Sequence, residues 1–160
     1  MRDLPRSGFA LYKRNTLAAM VERNGSVQVF FFGGLGLNRL NNPELAGDSN
    51  IWVASLLDLA GTKAGTIYGR FATKDYFDIH AILESGMSLE TILGAGQAVY
   101  RGQFKPELTV RALTYFDDLQ GTPLSDKQKA ELQRAAQNVD LARIPVMGPT
   151  RGLAPPGRGR

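Results

Sequence analysis

At about Ser55 the hydrophobic period of this chain changes, and that change limits its fold more than any other feature. Before it, apolar residues come in short β-branched and aromatic runs broken by glycine and asparagine. "SVQVFFF" (26–32) reads as a strand. "GGLGLNRLNNPELAGDSN" (33–50) reads as turns with a short strand near Leu37–Leu40, and "IWVAS" (51–55) as a short strand leading into a helix. After Ser55, Leu56, Leu59, Ala60, Lys63, Ala64 and Ile67 recur on one helical face, with Gly69 loosening the helix end. Thr73 predicts an N-cap for a helix over 74–85 that Gly86 stops. Ser88 caps a helix over 89–100, Pro106 opens one over 106–116 as a first-turn proline, and Ser125 caps one over 126–143. In the first part only "NTLAAMVER" (15–23) reads as a helix, with Leu17, Met20 and Val21 on one face and Asn24-Gly25 as its stop. The fold class that follows is α+β, mostly α.

One or two strands do not make a stable sheet. The uncharged "VFFF" run calls for burial on both faces, as in a central strand. The chain therefore either pairs with itself in a way the pattern does not reveal or lacks its sheet partners. At 160 residues and 43% hydrophobic it has enough apolar material for one core. With no cysteine and one histidine, disulfides, thiolate metal sites and multi-histidine sites are excluded. Metal chemistry would rest on carboxylates, which suits magnesium. No apolar run reaches membrane-spanning length and the first residues lack a secretory core, so a soluble cytoplasmic protein with no membrane partner is expected.

The net charge of +4 lies in the ends: residues 1–25 carry +3, residues 143–160 carry +4, and the middle carries −3. Basic ends either touch nucleic acid or stay solvated. The final "PVMGPTRGLAPPGRGR" has the proline, glycine and arginine content of a disordered tail.

The glycine clusters do not form a phosphate loop. Arg39 stands where the last glycine of a dinucleotide fingerprint belongs after Gly34 and Gly36, Val99 does the same in "GAGQAV", and no P-loop lysine follows any of them. His80 lies inside a helix with no second histidine or cysteine and reads as a packed or surface residue. What remains is "DLAGTKAGTIYGRFATKDYFDI" (58–79). Lys63 interrupts an apolar face, and Arg70 is seven residues further along. Asp75 sits in the first turn of the next helix, where the macrodipole favours a carboxylate, and Asp78 has Lys74 within i, i+4 reach. Taken singly these are structural residues, with Lys63 snorkelling to the surface. Taken together, Lys63, Arg70 and Lys74 offer cations for a triphosphate, and Asp75 and Asp78 offer carboxylates that position a lysine or accept a proton.

The stretch "ASLLDLAGTKAGTIYGRFATKDYFDIHAILESGMSLETIL" resembles the C-terminal half of the AbiEii/AbiGii toxin family of nucleotidyltransferases. Asp58-Leu59 with Lys63 matches the family's third motif. Arg70, Lys74-Asp75, Tyr76-Phe77 and Asp78 match the fourth, and Gly86, Ser88 and Leu89 match the start of the next helix. "LTYFDDL" (113–119) is similar to the closing helices, so the likeness covers roughly residues 26–120. The resemblance implies a type IV toxin–antitoxin and phage abortive-infection protein with a polymerase-β-like fold, a mixed sheet followed by a helical bundle. It implies transfer of a nucleotide from a nucleoside triphosphate to an acceptor such as tRNA, with magnesium as cofactor and a cognate antitoxin as partner. Lys63, Arg70 and Lys74 would contact the nucleotide, Asp75 and Lys63 would be catalytic, and Asp58 and Asp78 would support them. No residue is implied as a metal ligand. On this likeness 1–55 is a partial α/β segment, 56–142 the C-terminal helical domain and 143–160 a disordered basic tail.

The family's first two motifs, a glycine-glycine-threonine stretch and an arginine-x-serine-x-aspartate-x-aspartate run, do not occur, and no aspartate-x-aspartate pair exists in the chain. Nucleotidyl transfer uses such paired carboxylates to hold the metal that bridges phosphate and attacking oxygen. The expectation is therefore the C-terminal portion of such a toxin, with a missing N-terminal half as partner. Two alternatives stand beside it: a non-catalytic truncated remnant or interaction module with an exposed apolar edge at 27–32, and a small RNA-binding protein that uses its basic ends.

Overall fold

The computed structural model describes residues 8–13, 16–22, 25–33, 35–47 and 51–149. The chain divides into two compact units, residues 1–36 and 37–160. Among the described residues the fold is α+β, with five α-helices and two small antiparallel sheets.

The first unit is a meander of β1 (Gly8–Lys13), β2 (Thr16–Glu22) and β3 (Ser26–Phe32), in the order β1-β2-β3. The helix expected over 15–23 is therefore a strand. Asn24-Gly25, read as a helix stop, is instead the hairpin signal, and Gly25 takes φ +131°, which a side chain resists. The register runs unbroken from Thr16↔Phe32 to Glu22↔Ser26, so β2 gains a full ladder from the strongest strand in the chain. That ladder outweighs the weak helical periodicity of "TLAAMVE". The oddity of the missing strands is answered in part, because the chain pairs with itself. The central position expected for "VFFF" is not met: β3 ends the strand order, and Val27, Phe30, Phe31 and Phe32 are exposed. Phe30 and Phe32, two positions apart on one face, stack with ring centroids 6.0 Å apart. Every strand-to-strand pairing among the described residues is antiparallel, where the resemblance implied a mixed sheet; the isolated bridge Ala72↔Gln120 is parallel.

The second unit opens with a minimal hairpin, β4 (Glu44–Leu45) and β5 (Trp52–Val53). The strand expected near Leu37–Leu40 is reduced to a single bridge residue, Arg39. On either side of it Asn38 N donates to Val99 O at 2.9 Å, and Leu40 N donates to Asp58 Oδ1 at 2.5 Å. Then come α1 (Leu56–Arg70), α2 (Thr73–Glu84), α3 (Leu89–Val99), α4 (Pro106–Ala112) and α5 (Asp126–Asn138), followed by a 3-10 turn at Leu141–Arg143. Ser55, Ser88 and Ser125 cap α1, α3 and α5, and Pro106 sits in the first turn of α4. Thr73 is not the cap of α2. Its N and Oγ1 both donate to Gln120 O at 3.1 Å, so Thr73 is the first helical residue and Ala72 takes the cap position. α4 stops at Ala112, short of 116, and the helix expected to reach 143 breaks after Asn138, where Asp140 Oδ1 accepts from Ala142 N at 2.9 Å.

The core joins all five helices through Ile67, Tyr76, Ile79, Ile92, Leu113 and Leu132, each without solvent exposure. Two glycines seat α1. A Cβ on Gly61 would lie 2.8 Å from the Ala95 backbone, and one on Gly65 would lie 2.2 Å from the Tyr100 ring. Of the tail expected to be disordered over 143–160, Ile144 packs against the core and Pro145 lies close on Gly94, while 150–160 fall outside the described residues.

Candidate functional site: an ion cluster between two helices

The cluster forms where α1 turns back into α2. Phe71 ends α1 in the left-handed region, at φ 48° and ψ 33°, a conformation that costs a non-glycine residue about 1–2 kcal/mol. Backbone bonds hold the corner in place. Gln120 N donates to Phe71 O at 2.9 Å, and Thr73 N returns a bond to Gln120 O. The turn is short enough that Lys63, near the middle of α1, faces the first turn of α2.

Asp75 is the centre. Its side chain is 0% exposed, yet it is surrounded by donors: Lys63 Nζ at 3.1 Å from Oδ1, and Arg70 Nη2 at 3.0 and 2.9 Å from Oδ1 and Oδ2, with Nε at 3.3 Å. Lys63 also donates to Asp78 Oδ2. A buried carboxylate without partners is prohibitively costly, so these donors make Asp75 possible where it stands. The cations reach outward: the side chains of Lys63 and Arg70 are 22% and 50% exposed. Arg70 spends Nε and Nη2 on Asp75, and its Nη1 has no protein partner among the described residues.

Burial alone would lower the pKa of Lys63. The hydrogen bonds to Asp78 and Asp75 and their negative charges outweigh it, and the ammonium is held above the ordinary lysine value. Tyr76, the next residue on α2, is pushed up to about 12, first by burial and then by the Asp75 charge. Its hydroxyl donates to Ala112 O at 3.3 Å.

Lys63, Arg70, Asp75 and Asp78 are thus brought together. Lys74 is exposed and joins no ion pair among the described residues. The i, i+4 pairing offered by Lys74 and Asp78 is replaced by the longer-range Lys63–Asp78 contact. Asp58 stands apart from the cluster. It accepts from Leu40 N, from Asn41 N at 3.2 Å and from Ser55 Oγ at 2.6 Å, so it ties the 40–41 segment to the N-terminus of α1. None of these carboxylates suits magnesium. Both Asp75 oxygens are taken by cations, and Asp78 faces Lys63.

Two features had no signal in the spacing. A cleft of about 520 Å³ beside the corner is lined by Tyr68, Phe71, Leu108, Arg111, Tyr115 and Asp118. His80 meets Glu131, 51 positions away, with Nε2 and Oε2 2.6 Å apart. No model of a protein family, no curated protein and no solved structure matches this chain.

Proposed function

We propose that this chain is the C-terminal portion of a nucleotidyltransferase of the AbiEii/AbiGii toxin type, and that the Lys63–Arg70–Asp75 cluster is its triphosphate wall. In that reaction an acceptor hydroxyl, on tRNA for example, attacks the α-phosphorus of a nucleoside triphosphate and pyrophosphate leaves. The observation that carries the reading is Asp75: a fully buried carboxylate that fixes two cations whose side chains stay partly exposed. Such an arrangement preorganises positive charge for phosphate oxygens at no reorganisation cost. Lys63 has a third ammonium proton and Arg70 has Nη1 to offer. Asp75 is then a positioning group for both. Magnesium does not fit these residues, since both Asp75 oxygens are taken by cations. Its carboxylates would belong to the missing N-terminal half, and the antitoxin would be a further partner.

The test is calorimetric titration of the chain with ATP, CTP, GTP and UTP, each as its magnesium complex. Weak binding of at least one is expected, and it is lost in Lys63→Ala. No heat with any of the four removes the support for this reading. A second reading, an interaction module without catalysis, is favoured by the exposure of Val27, Phe30, Phe31 and Phe32. The RNA-binding alternative rests on chain ends whose residues 1–7 and 150–160 lie outside those described.

A further inference from the structure

His80 is the only histidine of the chain. The fold surrounds it with carboxylates. Glu84, one turn further along α2, has Oε2 3.4 Å from Nδ1, and Glu131 of α5 has Oε2 2.6 Å from Nε2. One ligand atom from each of the three residues lies within 4.8 Å of the others. The same side chains, with Leu83 and Ala135, line a cavity of about 200 Å³. Donor atoms and space for an ion with its water are therefore in one place.

We propose that His80, Glu84 and Glu131 bind a divalent transition-metal ion of the zinc class and so clamp α5 to α2. One imidazole nitrogen with two carboxylates is a donor set for zinc, cobalt or nickel rather than for magnesium or calcium, which take oxygen alone. With bonds of about 2.0–2.2 Å, three tetrahedral ligand atoms stand roughly 3.3 Å apart. An ion on Nε2 beside Glu131 takes Glu84 as third ligand only when that side chain, 61% exposed and now against Nδ1, turns to the other edge of the ring. Water from the cavity completes the shell. Two cations compete with the ion: Lys127 Nζ lies 3.8 Å from Glu131 Oε1, and Arg134 also acts on Glu131. The site shares no residue with the Lys63 cluster and stands or falls separately from it.

A single histidine makes the test clean, because any imidazole-dependent binding by an untagged chain comes from this site. Metal-free protein is titrated with zinc by calorimetry and with cobalt by visible absorption. One ion per chain is expected. Affinity should fall by about tenfold or more in Glu131→Gln and Glu84→Gln and vanish in His80→Gln, whereas Glu107→Gln, at an exposed position of α4, leaves it unchanged. Lys127→Ala should tighten binding, and acidification should weaken it as protons displace the ion. Glu84→Gln alters an exposed side chain, so it carries the test even if His80→Gln fails to fold. Absence of binding, or binding equal in wild type and Glu84→Gln, overturns the proposal and leaves His80 as a hydrogen-bonded link between α2 and α5.

Discussion

Asp75→Asn removes one charge from a side chain that no solvent reaches, and the loss can be worked out from its contacts. Breaking a fully buried ion pair by neutralising one partner costs about 3–5 kcal/mol. Two features reduce that figure here. Arg70 is half exposed, so water takes over part of its solvation, and Lys63 keeps its contact with Asp78. Against this, asparagine turns an amide NH2 toward the guanidinium or ammonium, setting donor against donor in a buried place. The balance is about 2–3 kcal/mol, which at a urea slope of roughly 2 kcal/mol/M moves the unfolding midpoint down by about 1–1.5 M. The assay is urea unfolding followed by the helical circular-dichroism band near neutral pH. Asp78→Asn is the control. Its side chain is 41% exposed, so its contact with Lys63 is worth about 1 kcal/mol or less. Equal midpoints for wild type and Asp75→Asn, or equal losses for the two variants, would refute the claim that Asp75 is the buried hub of the cluster.

Alkaline stability reports the same region. Lys63 and Tyr76 both hold their protons more tightly folded than unfolded, so their contributions are complete below about pH 10 and fall as pH rises toward 12. Thermal melts at stepped alkaline pH should decline less steeply in Tyr76→Phe and Lys63→Met than in wild type, and parallel curves would contradict the assignment. The α1–α3 contact is tested by two glycines with opposite expectations. Gly61→Ala drives a Cβ to 2.8 Å from the Ala95 backbone and should destabilise by about 1–3 kcal/mol in a urea titration. Gly69→Ala meets open space in the same helix and should stabilise by about 0.5–1 kcal/mol.

The second-unit helices were legible because their signals are local. Ser88 and Ser125 satisfy amides three residues away, and Pro106 needs only its own ring to favour a first turn. The lengths of α4 and α5 were not legible, since their ends depend on what the following residues bond to. "TLAAMVE" was misread because its preference is weak and its neighbour in the hairpin decides it. Likewise, an N-cap at Thr73 follows from residue type, but Gln120, distant in sequence, takes its donors.

For the cluster, residue types and spacing put Lys63, Arg70, Asp75 and Asp78 on two consecutive helices. They did not say that Asp75 would be buried, that Lys74 would stand outside, or that Asp58 would tie down a loop. Those outcomes depend on the left-handed turn at Phe71 and on how closely α1 lies on its neighbours. The meeting of His80 with Glu131 has no sequence signal at all, because the two lie 51 positions apart and α5 reaches α2 through packing in the shared core. By itself the sequence determined where helices start, which faces are apolar and which charges are near neighbours, because these follow from bonding within a few residues. Only the tertiary structure decided which of those charges lose water and meet, because desolvation and long-range pairing arise when separate elements pack.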